Sequence, residues 1–405
     1  MSRRRVVVTG IGVVSALGRN AQEFWRALEE GRPGIGPITQ LDVSSLRFQN
    51  GGEARDFNPA ENFEQKQLDF LDRFAQFAIV AAREAVKDSG VEWTAQLRER
   101  SGIVTGSCVG GKITEDEGFQ NLYLQKKPRV NPLTIARSMG NAGASHISME
   151  VGITGPTFTI STACSSANHA MGQAFRMVRD GDIELALTGG SEAPFAMGNL
   201  KAWEAMRVVS PDTCRPFCKD RRGMVLGEGG AILVLEPLEA AVARGARIYA
   251  EIVGFGMSSD AHHLTQPSAE GPARAMCAAM TDGGLKPEQI GYINAHGTAT
   301  PANDPTEVAA VRAVLGAQAK RVAISSTKSM HGHALGAAGA IEAVATVLAL
   351  HSGVLPPTAN FTTPDPQCDI DVVPNQARRA EVECALSNSF AFGGLNAVLA
   401  FRRVL

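Results

Sequence analysis

The stretch that decides the fold class is residues 157–190, TFTISTACSSANHAMGQAFRMVRDGDIELALTGG. It opens on β-branched and apolar residues, continues with apolar residues at helical spacing, and closes on an apolar run that meets two glycines. These patterns predict a strand over 157–162, a helix over 164–179 and a strand over 183–188. Strand, helix and strand separated by glycines are typical of an α/β protein.

The same alternation begins again in the second half of the chain. Residues 247–256, RIYAEIVGFG, echo the opening segment 4–12, RRVVVTGIG, and each segment ends on Gly-x-Gly. A β-branched run closed by glycines predicts a buried strand that turns at those glycines. We interpret the chain as an internal duplication of one α/β unit, with halves 1–246 and 247–405. Because no low-complexity linker separates the halves, we expect them to share an interface.

Composition narrows the class of protein further. The chain has 405 residues, of which 44% are apolar and 20% charged, so it can build a sizeable core. With 39 Lys and Arg against 41 Asp and Glu, the formal net charge is −2, which disfavours a general nucleic-acid binder. The charge-free stretch 151–175 is too rich in Thr, Ser and Gly to span a membrane.

Cysteine usage and the N-terminal sequence indicate the cellular compartment of the protein. The seven cysteines are odd in number and scattered, which is typical of reduced thiols rather than of a disulfide framework. Residues 1–8 contain no apolar signal-peptide core. We therefore predict a cytoplasmic protein with no membrane insertion and no nucleic-acid partner.

Cys164 is the candidate nucleophile. It lies in STACSS, residues 161–166, between a predicted strand and a predicted helix. The N-terminus of a helix presents unpaired N–H groups and a partial positive charge, which lower the pKa of a thiol and favour the thiolate. Such a thiolate is a natural acceptor for an acyl group. The alternative is a buried cysteine that only fills space in the core.

Two histidines follow predicted strands and are flanked by glycine. His296 lies in NAHGTATP, and His333 lies five residues after Lys328 in STKSMHGH. Strand ends that face glycine-rich turns are where α/β folds place their sites. A metal site built from His296, His331 and His333 is a rival interpretation. It is disfavoured because His331 and His333 would point to opposite sides of an extended segment and no carboxylate is clearly placed as their partner.

The C-terminal segment 387–396, SNSFAFGGLN, reads as a strand followed by a tight glycine loop. In a functional interpretation, this loop supplies a backbone N–H donor and a movable aromatic ring, Phe392, beside the thiolate. The alternative is an ordinary turn with two core phenylalanines. The glycine-rich segment 106–111, GSCVGG, lacks the Gly-Lys-Ser/Thr of a nucleotide-binding loop, so we exclude that function for it.

These motifs resemble those of the elongating β-ketoacyl-[acyl-carrier-protein] synthases, type I/II and closest to type II. Cys164, His296, Lys328 and His333 occur in the family's order, and the resemblance runs from VVVTG at 6–10 to FGG at 392–394. It implies an α/β thiolase-like fold with five αβαβα layers and two pseudo-duplicated halves, in a homodimer. It also implies decarboxylative condensation of a Cys-bound acyl chain with malonyl-acyl-carrier protein, with no cofactor required for catalysis.

The resemblance implies roles for individual residues as well. Cys164 carries the acyl chain, and the imidazoles of His296 and His333 stabilise charge on the malonyl thioester oxygen during decarboxylation. Lys328 sets the charge near His333. Phe392 is a gating side chain, and its backbone N–H joins that of Cys164 in a second oxyanion hole.

Further positions match the family's binding sites. The pantetheine arm is held by Thr298 and Thr300. Substrate-binding positions of the acyl pocket are Val109, Thr134, Trp203 and Phe390. A structural Na⁺ or K⁺ ion is held near Asn294, Ala295, Glu342, Ser387 and Asn388. The implied partners are the acyl and malonyl forms of acyl carrier protein and a second copy of the chain.

Several positions depart from the family pattern. Ala391 replaces the glycine before Phe392, and its Cβ would penalise a positive φ in a loop that must flex. His331 replaces a usual threonine. Thr134 stands where a bulky aromatic is common in the part of the acyl-pocket wall that the neighbouring subunit contributes, and Trp203 stands where a phenylalanine is common. These changes favour a specialised synthase for unusual acyl chains.

The docking region for the acidic carrier protein is also altered. It keeps Lys66 but carries Asp69 and Asp72. Other basic candidates are Lys126, Lys127, Arg129, Arg207, Arg221 and Arg222. Two alternatives stay open: a non-catalytic chain-length partner, which would usually lack the nucleophile, and a CoA-dependent thiolase, which would carry a second cysteine in the loop that holds Phe392.

Overall fold

A computed structural model of the protein describes residues 3–404. In this range, the main sheet is mixed and its ten strands are β1 (Val6–Ser15), β2 (Ser101–Gly106), β3 (Thr157–Ile160), β4 (Leu185–Glu192), β5 (Gly229–Pro237), β6 (Ala250–Ser259), β7 (Ile290–Asn294), β8 (Ala323–Ser325), β9 (Cys384–Ala391) and β10 (Leu395–Arg402). The longer helices are α1 (Ala21–Glu29), α2 (Arg73–Ser89), α3 (Lys112–Phe119), α4 (Ala142–Val151), α5 (Ser166–Asp180), α6 (Met197–Met206), α7 (Glu270–Asp282), α8 (Asn303–Leu315) and α9 (Ala338–Ser352).

Shorter elements connect these. Short helical segments are Pro59–Glu61, Gln65–Leu68, Ala95–Glu99, Gln120–Leu124, Thr134–Ser138, Leu238–Ala243, Pro287–Gln289, Gly316–Lys320, Lys328–His331, Leu335–Ala337 and Pro366–Cys368. Two small antiparallel pairs join Gly36–Pro37 to Asn50–Gly51 and Val354–Leu355 to Arg378–Arg379. Met1, Ser2 and Leu405, which the predicted halves include, lie outside the described residues.

The order of strands repeats between the two halves. From the centre outward, the first half runs β1, β5, β4, β2, β3 and the second runs β6, β10, β9, β7, β8. In each half the inner two pairings are antiparallel and the outer two are parallel. β1 and β6 join the halves at the centre. The predicted duplication is therefore confirmed, whereas the boundary at 246/247 stays a prediction.

Helices complete the five predicted layers. α5 and α9 lie between the two halves of the sheet, in one apolar core that also takes residues from β1, β5, β9 and β10. α2 and α4 cover the other face of the first half, and α7 and α8 cover that of the second. One described helical stretch, Leu335–Ser352, is long and apolar enough to cross a membrane, but 89% of it is buried inside the protein.

The glycine pair of the first strand lies within the strand and not at its end, so the predicted turn there was wrong. A Cβ on Gly10 would lie 2.2 Å from the carbonyl oxygen of Ala85, and one on Gly12 would lie 2.0 Å from that of Ala81. Both oxygens belong to α2. The glycines therefore allow the backbone of α2 to lie directly on the strand.

The second half repeats this contact. Cβ atoms on Gly254 and Gly256 of β6 would lie 2.2 and 2.1 Å from backbone oxygens of α7. In both halves the residue between the glycines donates its N–H to an aspartate near the end of the covering helix, Ile11 to Asp88 at 3.0 Å and Phe255 to Asp282 at 3.1 Å. Gly-x-Gly thus marks a repeated strand–helix contact.

Candidate active site

Cys164 lies in a sharp turn between β3 and α5. Ala163 has a φ of +51°, in the left-handed region that residues with a Cβ rarely adopt. The turn is tied by the N–H of Thr162, which donates to Ser166 Oγ at 2.9 Å. α5 begins at Ser166, two residues later than predicted, so Cys164 precedes the first turn of the helix. Its side chain is buried, with 6% exposed.

The predicted catalytic residues converge on one cavity of about 290 Å³. Its walls include Cys164, His296, His333 and Phe392. Four of the predicted binding residues also line it: Thr298, Thr300, Trp203 and Phe390. The hydroxyls of the two threonines lie 3.1 Å apart. The segments that follow β3, β7, β8 and β9 supply the site, which explains why its residues are far apart in sequence.

The two histidines meet edge to face. Their ring centroids lie 5.4 Å apart with an interplanar angle of 84°. Burial and the positive charge of Lys328 hold the pKa of His296 and that of His333 well below the ordinary value, so both imidazoles are neutral near pH 7. The backbone N–H groups of His296 and Gly297 donate to Glu307 at 2.9 and 2.8 Å, which fixes this turn.

Lys328 lies behind the histidines rather than in the cavity wall. It is fully buried and forms an ion pair with Glu342, itself buried in α9. Burial raises the pKa of Glu342 to about 7, and the ammonium of Lys328 acts against that rise. The ion pair holds the ammonium of Lys328 where its charge lowers the pKa of Cys164 and that of both imidazoles.

The pKa of the Cys164 thiol differs from the prediction. Its pKa is raised to about 12, mainly by burial, and the charge of Glu192 acts in the same direction. Lys328 and the backbone N–H groups of Phe392 and Cys164 act in the opposite direction. The predicted thiolate is thus wrong for this state, because removal of water from the sulfur outweighs the stabilising groups.

The gate loop is held by two contacts. The ring of Phe392 stacks on that of Trp203, and the N–H of Gly393 donates to the carbonyl of Leu264 at 2.7 Å. The positive φ angles of the loop fall on Gly393 and Gly394, at +83° and +71°. Ala391 is the last residue of β9 and does not adopt a positive φ, so its Cβ carries no penalty here.

The sequence matches the domain family "Beta-ketoacyl synthase, N-terminal domain" over residues 3–241 and "Beta-ketoacyl synthase, C-terminal domain" over residues 249–362. The chain belongs to the β-ketoacyl synthase family. It is 48% identical over 401 residues to Nodulation protein E of Rhizobium sp. (strain N33), covering 99% of this chain and 100% of that protein. It is 44% identical over 413 residues to 3-oxoacyl-[acyl-carrier-protein] synthase 2 of Synechocystis sp., covering 100% of this chain and 99% of that protein.

Solved structures agree with this assignment. The structure described as "The ishigamide ketosynthase/chain length factor" superposes on the synthase with a TM-score of 0.95 and 38% identity, and all of both chains is covered. The predicted thiolase-like fold and the predicted class, a condensing enzyme and therefore an acyltransferase, are confirmed.

Two predicted substrate-binding residues lie away from the described cavity wall. Val109 packs in an apolar cluster that also includes Trp203. Thr134 begins the short helix Thr134–Ser138, where its hydroxyl donates to the carbonyl of Asn131 at 2.6 Å. Its predicted place is in the pocket of a neighbouring subunit, so its contribution to substrate binding stays a prediction.

The predicted cation site contains a group of unpaired polar atoms. Among residues 3–404, the buried atoms without a hydrogen-bond partner include Asn294 Oδ1, Glu342 Oε2, Ser387 Oγ and Asn388 Oδ1. Unpaired buried polar atoms are uncommon and are often explained by an ion or a water. Three neutral oxygens and one carboxylate fit a monovalent cation. No group of three or more His, Cys, Asp and Glu side chains in the described chain is arranged to hold a metal ion.

Sequence reasoning missed three buried acids that shape the site. Glu307 and Asp304, both in α8, accept backbone N–H groups from the His296 and Ala299 turns. Glu192, the last residue of β4, accepts from the loop after β2 and from the loop after His333. The available signal was an isolated acid at the end of an otherwise uncharged strand, LALTGGSE.

Proposed function

We propose that this synthase carries an acyl chain on Cys164 and condenses it with the malonyl form of an acyl carrier protein. CO₂ is released, and a 3-oxoacyl chain longer by one acetyl unit stays on the carrier. The observation that supports these roles is the convergence of a thiol and two neutral imidazoles on one cavity. The carrier as partner is supported by the name of the Synechocystis relative, which includes it.

The first step transfers the acyl group to the enzyme. The sulfur of Cys164 attacks the thioester carbonyl, the new S–C bond forms, and the bond to the carrier thiol breaks. Because burial raises the pKa of Cys164, its proton leaves during the attack, by way of a neutral imidazole, and ends on the carrier thiol. The backbone N–H groups of Cys164 and Phe392 stabilise the oxyanion.

The second step uses the histidine pair. Loss of CO₂ from the malonyl group leaves an enolate, whose oxygen accepts N–H groups from His296 and His333. The enolate carbon attacks the acyl carbonyl, the C–C bond forms, and the C–S bond to Cys164 breaks. The released thiolate takes up a proton. Neutral imidazoles suit this task because each keeps one N–H to donate.

One basic group, Arg207, supports docking of an acidic carrier protein. Arg207 is exposed, lines the mouth of the cavity and has no salt bridge among the described residues. Arg221 is unsuitable because it is tied to Asp365 and to the carbonyl of Thr300. Asp72 does not oppose docking either, since it is buried and caps α2.

A homodimer is the proposed assembly. β3 lies at the outer edge of the sheet, where its backbone is open to pairing with another strand. Large apolar side chains near it are exposed: Phe119, Tyr123, Leu124, Ile135, Met149 and Phe158. An exposed apolar surface beside an open strand is typical of a protein interface. Thr134 lies next to Ile135 in this exposed surface. Dimerisation through the surface would therefore bring Thr134 near the pocket of the second copy.

A structural Na⁺ or K⁺ ion is proposed for the unpaired oxygens of Asn294, Glu342, Ser387 and Asn388, together with the backbone of Ala295. The ion would neutralise part of the charge of Glu342 and join β7 to β9. It takes no part in the reaction. A cytoplasmic location is proposed as well, since all seven cysteines are free thiols.

Mass spectrometry after incubation with an acyl-carrier protein tests the proposed nucleophile. We expect an acyl adduct on Cys164 and loss of both the adduct and condensation in Cys164→Ala. Cys277→Ala is the matched control, because Cys277 is exposed and lies outside the cavity wall. Condensation by Cys164→Ala at the wild-type rate would refute the assignment.

A further inference from the structure

Glu192 is a buried acid that the proposed chemistry does not use. It is the last residue of β4, and its side chain is fully buried. No Lys or Arg of the described chain forms a salt bridge with it. Its two oxygens instead accept four hydrogen bonds, from Ser107 Oγ at 3.0 Å, Cys108 N at 2.6 Å, Val109 N at 3.2 Å and Gly336 N at 2.9 Å.

These four donors belong to two separate loops. Ser107, Cys108 and Val109 follow β2 in the first half of the fold, and Val109 is a predicted acyl-pocket residue. Gly336 comes three residues after His333 in the second half. A single oxygen, Oε2, accepts from both Cys108 and Gly336, so one atom joins the two loops across the interface between the halves.

The junction leaves no room for adjustment on the side of Gly336. A Cβ at this position would lie 2.3 Å from the N of Cys108 and 2.5 Å from Glu192 Oε2. The absent side chain of Gly336 therefore lets the two loops come close enough to share the carboxylate. A buried carboxylate without a cation is unfavourable unless it is well hydrogen-bonded, which makes the geometry of this junction strict.

We propose that Glu192 is a positioning residue that holds the 107–109 loop and the loop after His333 at a fixed spacing, so that acyl chain and enolate meet at bonding distance. This inference rests on the proposed roles of Cys164 and His333. Glu192 touches neither substrate nor sulfur, and it acts through the loops that it joins. A small misplacement of reacting groups can lower a rate by about 10²-fold.

Burial raises the pKa of Glu192 to about 7, so the side chain is charged at the alkaline pH where the Cys164 thiol ionises. This charge gives a readout that a merely structural residue would not affect. It raises the pKa of Cys164 and that of Cys108, whereas Lys328 lowers that of Cys164 and Lys112 lowers that of Cys108. Glu192→Gln removes the charge, so the pH profile of Cys164 alkylation by iodoacetamide should shift to lower pH. Glu192→Asp keeps the charge but is shorter by one methylene, so it cannot reach both loops and the profile should stay in place.

Glu84→Gln is the matched control. Glu84 is also a largely buried acid whose pKa burial raises to about 7, and it accepts two backbone N–H groups, from Val13 at 2.9 Å and Ala21 at 2.8 Å. It lies on α2, on the face of the first half away from α5 and α9. It therefore controls for the general effect of removing a buried carboxylate.

The experiment measures condensation kcat, acylation of Cys164 and the alkylation profile in the full-length protein. We expect kcat to fall about 10²-fold in both Glu192 variants, with the alkylation profile shifted only in Glu192→Gln and neither property changed in Glu84→Gln. Wild-type kcat in both Glu192 variants, or the same losses in Glu84→Gln, would overturn the proposal. Because alkylation needs no acyl substrate, this readout stands even if Cys164 proves not to be the acyl carrier.

Discussion

The ring of Trp203 stacks on the ring of Phe392, with centroids 6.1 Å apart and planes inclined by 25°. The wall of the cavity and its gate are therefore in direct contact in this state. Trp203 stands where the resemblance leads one to expect a smaller phenylalanine, so the contact has more area than the family pattern provides. Aromatic pairs of this kind contribute about 0.5–1.5 kcal/mol beyond their buried area.

Replacing Trp203 by phenylalanine should release the gate and enlarge the cavity. We expect Trp203→Phe to acylate Cys164 from a wider range of chains than the wild type does. Acylation rates over a panel of saturated, branched and unsaturated carrier-bound chains would measure this. Normal wild-type turnover across ordinary saturated chains would contradict a specialised substrate, and an unchanged range in the variant would contradict the role of the stack.

The neutral histidines lead to a prediction about pH. Burial and Lys328 hold the pKa of His296 and that of His333 well below the ordinary value, so the imidazoles stay neutral as the pH falls through the range where an exposed histidine becomes charged. Malonyl decarboxylation should therefore not decline between about pH 8 and pH 6, whereas a histidine of ordinary pKa, about 6.5, would cause a decline there. Initial rates of CO₂ release across this range provide the measurement.

Malonyl decarboxylation also allows a prediction for the loss of one hydrogen-bond donor, the imidazole of His333. His333→Ala should lower the decarboxylation rate by about 10²–10³-fold while acylation of Cys164 continues. His351→Ala is a suitable control, because His351 lies near the end of α9 and outside the cavity wall. Equal loss of decarboxylation in both variants would point to a general effect on folding instead.

Binding of the proposed cation should raise the melting temperature of the protein. Anything that binds only the folded state raises Tm, so Na⁺ or K⁺ chloride should stabilise the protein relative to choline chloride at equal ionic strength. Ser387→Ala should reduce this difference. Ser389→Ala, which removes another buried and unpaired hydroxyl from β9, should leave it intact. The same Tm in all three salts for the wild type would exclude the ion.

The proposed interface can be tested through one exposed side chain. Leu124 is 76% exposed and lies among the apolar residues beside β3, so Leu124→Glu should weaken the dimer. Val242→Glu is the control, since Val242 is 62% exposed but lies at the end of a short helix far along the chain. Sedimentation analysis should show the variant dissociating at concentrations where wild type and control stay dimeric. A monomeric wild type would refute the assembly.

Much of the site could be predicted because its residues carry local signals. Cys164 sits at a strand-to-helix junction, and His296 and His333 follow strands beside glycines, which are patterns visible in a few adjacent residues. Glu192 and Glu307 were missed because their roles depend on backbone groups that lie far away in sequence. The pKa of Cys164 was predicted in the wrong direction for the same reason, since the helix N-terminus is local but the loss of water around the sulfur depends on the whole cavity.

The sequence by itself determined the α/β class, its duplication and the order of the chemical groups, because these follow from short-range periodicity and from motifs within single segments. Tertiary structure decided how those groups act. In the folded protein, Gly10 and Gly254 lie under helices instead of in turns. Lys328 is buried against Glu342, and Glu192 joins loops from both halves. Distances across the fold and the exclusion of water arise only when separate segments pack together, so no single stretch of residues could have shown them.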